Sequence, residues 1–148
     1  MRKLATKLFT YPFYVTFEGD EDIRKEVLAE ATIPVVYAPS GRTVLTQIGR
    51  KTFQAEVPTF TVEIANEQAL NDVFKHWFHF AFDNHLWVVY QHPTLTYKQG
   101  FASITLAQQE TIFVTEHDAY GFTFMTNEPH YESEAHVRKV LEGALSDD

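Results

Sequence analysis

The chain has 148 residues, of which 45% are hydrophobic and 22% charged, a composition that excludes disorder, collagen and coiled coils. Twelve Lys and Arg against 20 Asp and Glu give a net charge of −8, which disfavours a protein that grips nucleic acid or an anionic membrane. Cysteine is absent, which excludes disulfides, thiolate metal sites and a cysteine nucleophile.

The first third of the chain reads as strands around one short acidic helix. Residues 8–17 alternate aromatic and polar side chains, which predicts a strand, and Pro12 together with the acids that follow argues against a secretory signal. Residues 19–30 predict one or two helical turns capped by Asp20. Residues 33–37 predict a short strand, and the Ala-Pro-Ser-Gly sequence at 38–41 predicts a turn.

Two further strands are predicted at residues 42–49 and 52–64, with a bend at Gly49. Pro58 divides the second of them. Because proline cannot donate to a ladder, this strand must lie at a sheet edge or be bulged at that point. An edge strand needs a partner or protection, so the pattern indicates an assembling protein.

Residues 66–82 predict the central helix. Asn66 is a favourable N-cap, and Glu67 suits the positive end of the helix. The apolar residues fall on one stripe, namely Leu70, Val73, Phe74, Trp77, Phe78 and Ala81. The opposite face is polar and carries Asp72, Lys75, His76 and His79.

The rest of the chain predicts strands at residues 86–91, 95–106, 111–116 and 120–126, then a helix that opens at Pro129. The length predicts a single domain, residues 1–148, with a body of residues 1–127 and a C-terminal helical extension of residues 128–148. The predicted fold class is mainly β (α+β): an antiparallel β-sandwich or split barrel with one central packed helix and a C-terminal helix.

Metal chemistry has two weak indications. His76 and His79 share a helix face, and Asp83 or His85 is near enough in sequence to add a third ligand. Catalytic zinc helices, however, space their histidines at i and i+4 beside a glutamate. The acidic residues 18–22 lack the spacing of a calcium loop. We therefore expect no metal site.

No motif indicates an enzyme. None of the serines stands in a Gly-x-Ser-x-Gly elbow, and the six glycines form no phosphate-binding loop. We expect no catalytic residue and no cofactor. Two alternatives stay open: a small apolar-ligand-binding β-barrel whose pocket is lined by Phe74, Trp77 and Phe78, and a metal-dependent hydrolase that uses His76, His79 and Asp83.

The order of these elements, the acidity and the ending Tyr-Gly-Phe-Thr-Phe-Met-Thr at residues 120–126 resemble the tail-tube and distal-tail (baseplate) proteins of bacteriophages. The resemblance covers residues 31–127 and concerns layout, without a diagnostic motif. It implies a virion structural protein of the phage tail, made in the host cytoplasm, that assembles into a ring around a channel for DNA. The helical extension at residues 128–148 departs from a minimal tube subunit and is suited to docking another tail protein.

The resemblance also implies contacts. The family uses a long β-hairpin in ring and stacking contacts, and residues 37–51 are its positional match, with Gly41 and Arg42 at the turn. We expect a homo-oligomeric ring, a hexamer by resemblance, in which Gly41, Arg42 and the helix-shoulder aromatics Phe80 and Phe82 touch a neighbour. DNA passes through without specific binding, and no membrane is involved. The candidates for the channel lining are exposed loop acids, namely Glu18, Asp20, Glu21 and Asp22.

Overall fold

The structure is a computed structural model that describes residues 2–30, 33–106 and 110–145. Its helices are α1 Arg2–Leu8, α2 Glu21–Glu30, α3 Glu67–Trp77 and α4 Glu134–Leu145. Its strands are β1 Phe13–Glu18, β2 Val35–Ile48, β3 Lys51–Ile64, β4 Trp87–Tyr90, β5 Leu95–Lys98, β6 Phe101–Ile104, β7 Thr111–Thr115 and β8 Phe122–Thr126. Short 3₁₀ helices occupy Phe78–Ala81, His117–Ala119 and Pro129–Tyr131.

Six strands form one antiparallel sheet in the order β2-β3-β1-β4-β7-β8, and β5 and β6 form a separate hairpin. The large sheet is open, since its outer strands β2 and β8 do not pair with each other. The prediction of a mainly β, antiparallel fold with a central packed helix and a C-terminal helix is confirmed. No helix in the described part of the chain is long and apolar enough to span a membrane.

The main core lies between the large sheet and α3. Phe13, Val15 and Phe17 alternate along β1 and are fully buried on the face that α3 covers. The Phe17 ring packs against four other rings, those of Phe60, Trp77, Phe80 and Trp87. This cluster of rings, where strands and helix meet, is the centre of the fold.

The central helix begins and packs as predicted but ends earlier. The Asn66 side chain accepts a hydrogen bond from the Ala69 amide at 3.0 Å, which caps the helix. Leu70, Val73 and Trp77 are buried beneath it. After Trp77 the chain tightens into the 3₁₀ helix, so residues 78–81 follow a spacing of three residues per turn.

The β5–β6 hairpin covers part of the opposite face of the sheet. Val88, Tyr90 and Ile112 are buried there, with Leu95 and Ile104 of the hairpin packed against them. The Tyr90 hydroxyl is hydrogen-bonded to the Thr16 hydroxyl, so the phenol is buried with a partner.

The strand predicted at residues 8–17 is wrong in its first half. Residues 2–8 form helix α1, whose Leu4 and Ala5 are buried, and β1 begins only at Phe13. Helix α1 packs against α3 and α4. A helix of this length is unstable alone, so these tertiary contacts determine its conformation.

The turn predicted at residues 38–41 is also wrong. Strand β2 runs through it, and a shift of register between Pro39 and Thr43 marks a bulge. Ser40 is buried there: its hydroxyl donates to the Val57 carbonyl and accepts from the Arg42 amide at 3.0 Å. The hairpin turns instead at Gly49, which has a φ of +63°.

Pro58 does not lie at an edge, because β3 pairs with β2 on one side and β1 on the other. The alternative interpretation, a bulge at this point, is the correct one. Pro58 lies opposite Pro39, where the shift of register begins. Proline has no backbone N–H to donate to the ladder. Because the two prolines face each other, both missing donors fall at the same bulge.

The C-terminal region forms a helix as predicted, after a 3₁₀ turn that begins at Pro129. Leu141 of α4 packs against the main core. Residues 146–148 of the predicted extension lie outside the described residues, as do residues 1, 31–32 and 107–109 of the predicted body.

Candidate functional site

The β2–β3 hairpin extends well beyond the sheet. Strand β1 pairs with β3 only from Thr59 to Ile64, whereas the β2–β3 ladder continues from the Thr43–Glu56 pair to the Ile48–Lys51 pair. We call residues 43–56 the arm. Within the described part of the chain, neither edge of the arm pairs with a third strand. The arm is a two-stranded ribbon with unpaired backbone on both sides.

One face of the arm is apolar and exposed. Cross-strand partners share a face, so Val44, Ile48, Phe53 and Ala55 lie together. Ile48 is 68% exposed and Phe53 is 46% exposed. The opposite face is polar except for Leu45, which is 74% exposed. A ribbon with one exposed apolar face is typical of a surface that a protein partner covers.

The tip of the arm is basic. Arg50 and Lys51 are the only charged residues between positions 43 and 55, in a chain whose net charge is −8. Both are exposed at the turn. The arm therefore presents a positive, apolar end on an acidic protein.

The base of the arm is locked to the β5–β6 hairpin. Gly100, at the hairpin turn, has a φ of +79°, and a Cβ there would lie 3.1 Å from the Gly41 carbonyl oxygen and 3.2 Å from Arg42 Cα. Only glycine fits so close to another backbone. Gly41 and Arg42, predicted as a hairpin turn that contacts a neighbour, thus lie at the bulge and contact Gly100 of their own chain.

Glu18 is the centre of this junction. Its carboxylate forms an ion pair with Arg42, and it accepts hydrogen bonds from the Tyr97 hydroxyl at 2.9 Å and the Leu86 amide at 3.4 Å. The side chain is only 5% exposed. The prediction that Glu18 is an exposed loop acid is wrong: it ends β1 on the face that the β5–β6 hairpin covers, so it is not available to line a channel.

The other predicted channel acids lie just after it. Asp20 is exposed, and its carbonyl accepts the Arg24 amide at the start of α2. Glu21 and Asp22 form the first residues of α2, and their side chains lie outside the described atoms. Their assignment to a channel stays a prediction.

Phe80 and Phe82, the two helix-shoulder aromatics predicted to touch a neighbour, differ in their exposure. Phe80 is only 4% exposed and stacks on Phe17 at 5.7 Å, so the expectation that it offers exposed apolar area is wrong. The 3₁₀ spacing explains this, because a residue three positions after Trp77 returns to the buried side. Phe82 is 56% exposed, with its ring edge-on to Phe78 at 5.5 Å. Of the pair, Phe82 is the one available to a partner.

A groove of about 490 Å³ lies beside the Glu18 junction. Its lining comes from the arm base, the β5–β6 hairpin and the loops before β4 and after β7, namely Glu18, Arg42, Asn84, His85, Leu86, Gly100, Phe101, Ala102, Thr115, Glu116 and His117. Phe101 is 76% exposed at its edge. The groove thus combines an apolar floor with acidic and imidazole side chains.

Residues of the metal-dependent hydrolase alternative lie on the surface, whereas those of the apolar-ligand barrel lie in the core or against it. His76, His79 and Asp83 are exposed, and no group of three metal-ligating side chains is found among residues 2–30, 33–106 and 110–145. Phe74, Trp77 and Phe78 pack against other rings: the centroids of Phe74 and Phe78 are 5.0 Å apart, and Phe78 meets Trp87 at 5.3 Å. Trp77 lies in the core, and Phe74 and Phe78 are partly buried against it.

Removing the Arg42 side chain should destabilise the fold. In Arg42→Met the Glu18 carboxylate stays buried with only neutral donors, and we expect a loss of about 2 to 3 kcal/mol in the free energy of unfolding. Arg42 is 39% exposed, which keeps this loss below that of a fully buried pair. The double variant Glu18→Gln/Arg42→Met should lose less than the single one in urea unfolding; additive losses would contradict the pairing.

The Tyr97 phenol makes the stability that this junction contributes decrease at high pH. Burial, and then the charge and hydrogen bond of Glu18, raise the pKa of the Tyr97 phenol far above its usual value. The unfolded chain releases this proton near pH ~10 and the folded chain holds it, so the stabilisation is complete below pH ~10 and declines as pH rises further. Wild type should exceed Tyr97→Phe by ~1 kcal/mol at pH ~8, and by less at pH ~11. A difference that stays constant between those two pH values in urea unfolding would contradict this.

No protein family, curated protein or solved structure matches this chain. A functional assignment therefore depends on the geometry of the arm, the groove and the core.

Proposed function

We propose that the chain is a structural subunit of a bacteriophage tail, in the tail tube or in the tail-tip (baseplate) ring. Copies of the chain assemble into a closed ring, a hexamer by resemblance to that family, around a channel through which DNA passes. The protein is made in the host cytoplasm and functions in the virion. Its chemistry is assembly, with no catalytic step.

The observation that carries this proposal is the arm. Residues 43–56 bury nothing in either hydrophobic core of the described chain, yet they present Ile48, Phe53 and Leu45 to solvent on a ribbon with two unpaired edges. Such a feature is costly for an isolated protein and useful for one that is covered by copies of itself. The tail-tube and distal-tail proteins that this chain resembles also use a long β-hairpin for their ring and stacking contacts.

The open sheet supports assembly as well. Strands β2 and β8 are its two edges, and symmetric neighbours in a ring would cover them. Phe82 adds exposed apolar area near the end of the sheet to which the arm is attached. These features favour contacts between subunits over a solitary monomer.

The charge supports a channel that does not bind DNA. A net charge of −8 repels phosphate, and Asp20, Glu21 and Asp22 form an acidic group at the start of α2. A subunit that contacts passing DNA without retaining it needs a neutral or negative wall. Helix α4, most of whose residues from Glu134 to Gly143 are exposed, is the surface we assign to other tail proteins.

The apolar-ligand barrel has less support. It requires a closed sheet around a cavity lined by Phe74, Trp77 and Phe78, whereas the sheet is open and these rings pack against Phe17 and Trp87. A purified monomer that carries a bound lipid would nevertheless restore it.

Native mass spectrometry tests the proposal. We expect one dominant assembly with a fixed number of copies of the chain, greater than two, and no bound nucleic acid at physiological salt. A monomer at every concentration, or an assembly that retains DNA, would overturn it.

A further inference from the structure

We propose that the groove beside Glu18 is the receptor for the arm tip of a second copy of this chain. This inference rests on the proposed function, because it names the surface that the arm contacts in the assembly. The occupant is the turn at residues 48–51, with its exposed Ile48, Arg50 and Lys51.

The arm tip does not reach the groove of its own chain. The groove is lined by Arg42 at the base of the arm, and Ile48 lies six residues further along an extended strand. At roughly 3.3 Å per residue the tip lies about 20 Å from that base. A tip in the groove must therefore come from another copy.

The groove offers matching apolar surface. Leu86 and Ala102 line it, and Phe101 is 76% exposed at its edge. These side chains remain partly uncovered in the single chain, as Ile48 does at the arm tip, where it is 68% exposed. Contact between the two surfaces removes both from water.

The charges are complementary. Arg42 in the groove is already paired with Glu18, so the carboxylate available to an incoming cation is that of Glu116. Glu116 is exposed, and its carboxylate accepts a hydrogen bond from a neutral group, the Thr123 hydroxyl, at 3.1 Å. Asp118, two residues further along, is not among the groove residues, and its carboxylate lies 2.7 Å from the His117 ring nitrogen. Glu116 is thus the acid that the groove offers to a tip that carries Arg50 and Lys51 and no acid.

Charge reversal tests this contact. The tip variant Arg50→Glu/Lys51→Glu and the groove variant Glu116→Lys should each raise the concentration needed for assembly by about tenfold or more, since like charges then meet across the interface. Combining the three substitutions in one chain should bring assembly back toward the wild-type concentration. The matched control, Lys25→Glu/Lys75→Glu, changes the net charge as the tip variant does, at exposed lysines of α2 and α3, and should assemble normally.

The outcomes separate this inference from the proposed function. Wild-type protein that assembles while the tip and groove variants assemble equally well would overturn the inference and leave the function standing. Failure of the triple variant to regain assembly would also overturn the inference. Wild-type protein that never assembles would overturn both. Circular dichroism of each variant establishes that it folds.

Discussion

A variant without the outer arm should remain a folded monomer that no longer assembles. In it, residues 44–55 are replaced by an Asn-Gly turn that joins Thr43 to Glu56, which already pair across the ladder. None of the removed residues belongs to either hydrophobic core, so the free energy of unfolding should change little. Sedimentation velocity should give a single monomer boundary at concentrations where the wild type is fully assembled.

Two double substitutions test whether assembly depends on the apolar face of the arm and not only on the presence of the arm. Ile48→Asp/Phe53→Asp places charges on the exposed apolar face and should also abolish assembly. The matched control Gln47→Asp/Gln54→Asp places the same charges on the polar face and should assemble at least partly. Equal behaviour of the two pairs would show that the apolar face is not the contact surface.

Truncation of Trp77 should cause the largest loss of stability. Trp77 is 6% exposed and stacks on the central Phe17 ring at 5.5 Å, so Trp77→Ala removes burial and leaves a cavity. We expect a loss of about 3 to 5 kcal/mol in the free energy of unfolding. In thermal unfolding this corresponds to a fall in Tm of about 10 °C or more.

The preceding residue supplies the control. His76 is exposed on the opposite face of α3, and His76→Ala should change the free energy of unfolding by no more than ~0.5 kcal/mol. An unchanged Tm for Trp77→Ala would contradict the placement of α3 against the sheet.

The elements that sequence predicts well are those with several agreeing local signals. Helix α3 has an N-cap at Asn66, an acidic first turn and a regular apolar stripe, and it begins where predicted, although it ends at Trp77, before the predicted end at residue 82. Strands β7 and β8, rich in β-branched and aromatic residues on either side of a short connection, are also confirmed. Helix α1 lacks such agreement: its seven residues include three basic and three apolar side chains in an order that fits a strand as readily, and packing decides.

The bulge at Pro39 shows a different limit. Proline, serine and glycine together are typical of a turn, but the same dihedral preferences suit a bulge inside a long strand. Which of the two forms depends on β3, whose Pro58 faces Pro39 across the ladder. Local sequence contains no information about that partner.

The Glu18 junction was beyond prediction for a similar reason. Glu18 stands in an acidic run, where a solvated side chain is the usual outcome, and its partners Arg42 and Tyr97 are distant in sequence. The second strand of the arm had a visible pattern, since Phe53 and Ala55 begin an alternation of apolar residues that continues at Val57. Alternation alone does not tell an exposed face from a buried one, so the exposure of the arm follows only from the sheet topology.

Negative-stain electron microscopy of the purified wild-type protein shows whether copies of the chain close into a ring. We expect ring-shaped particles with one rotational symmetry and an open centre, seen end-on. Compact particles of monomer size at every concentration, or assemblies with no central opening, would contradict it.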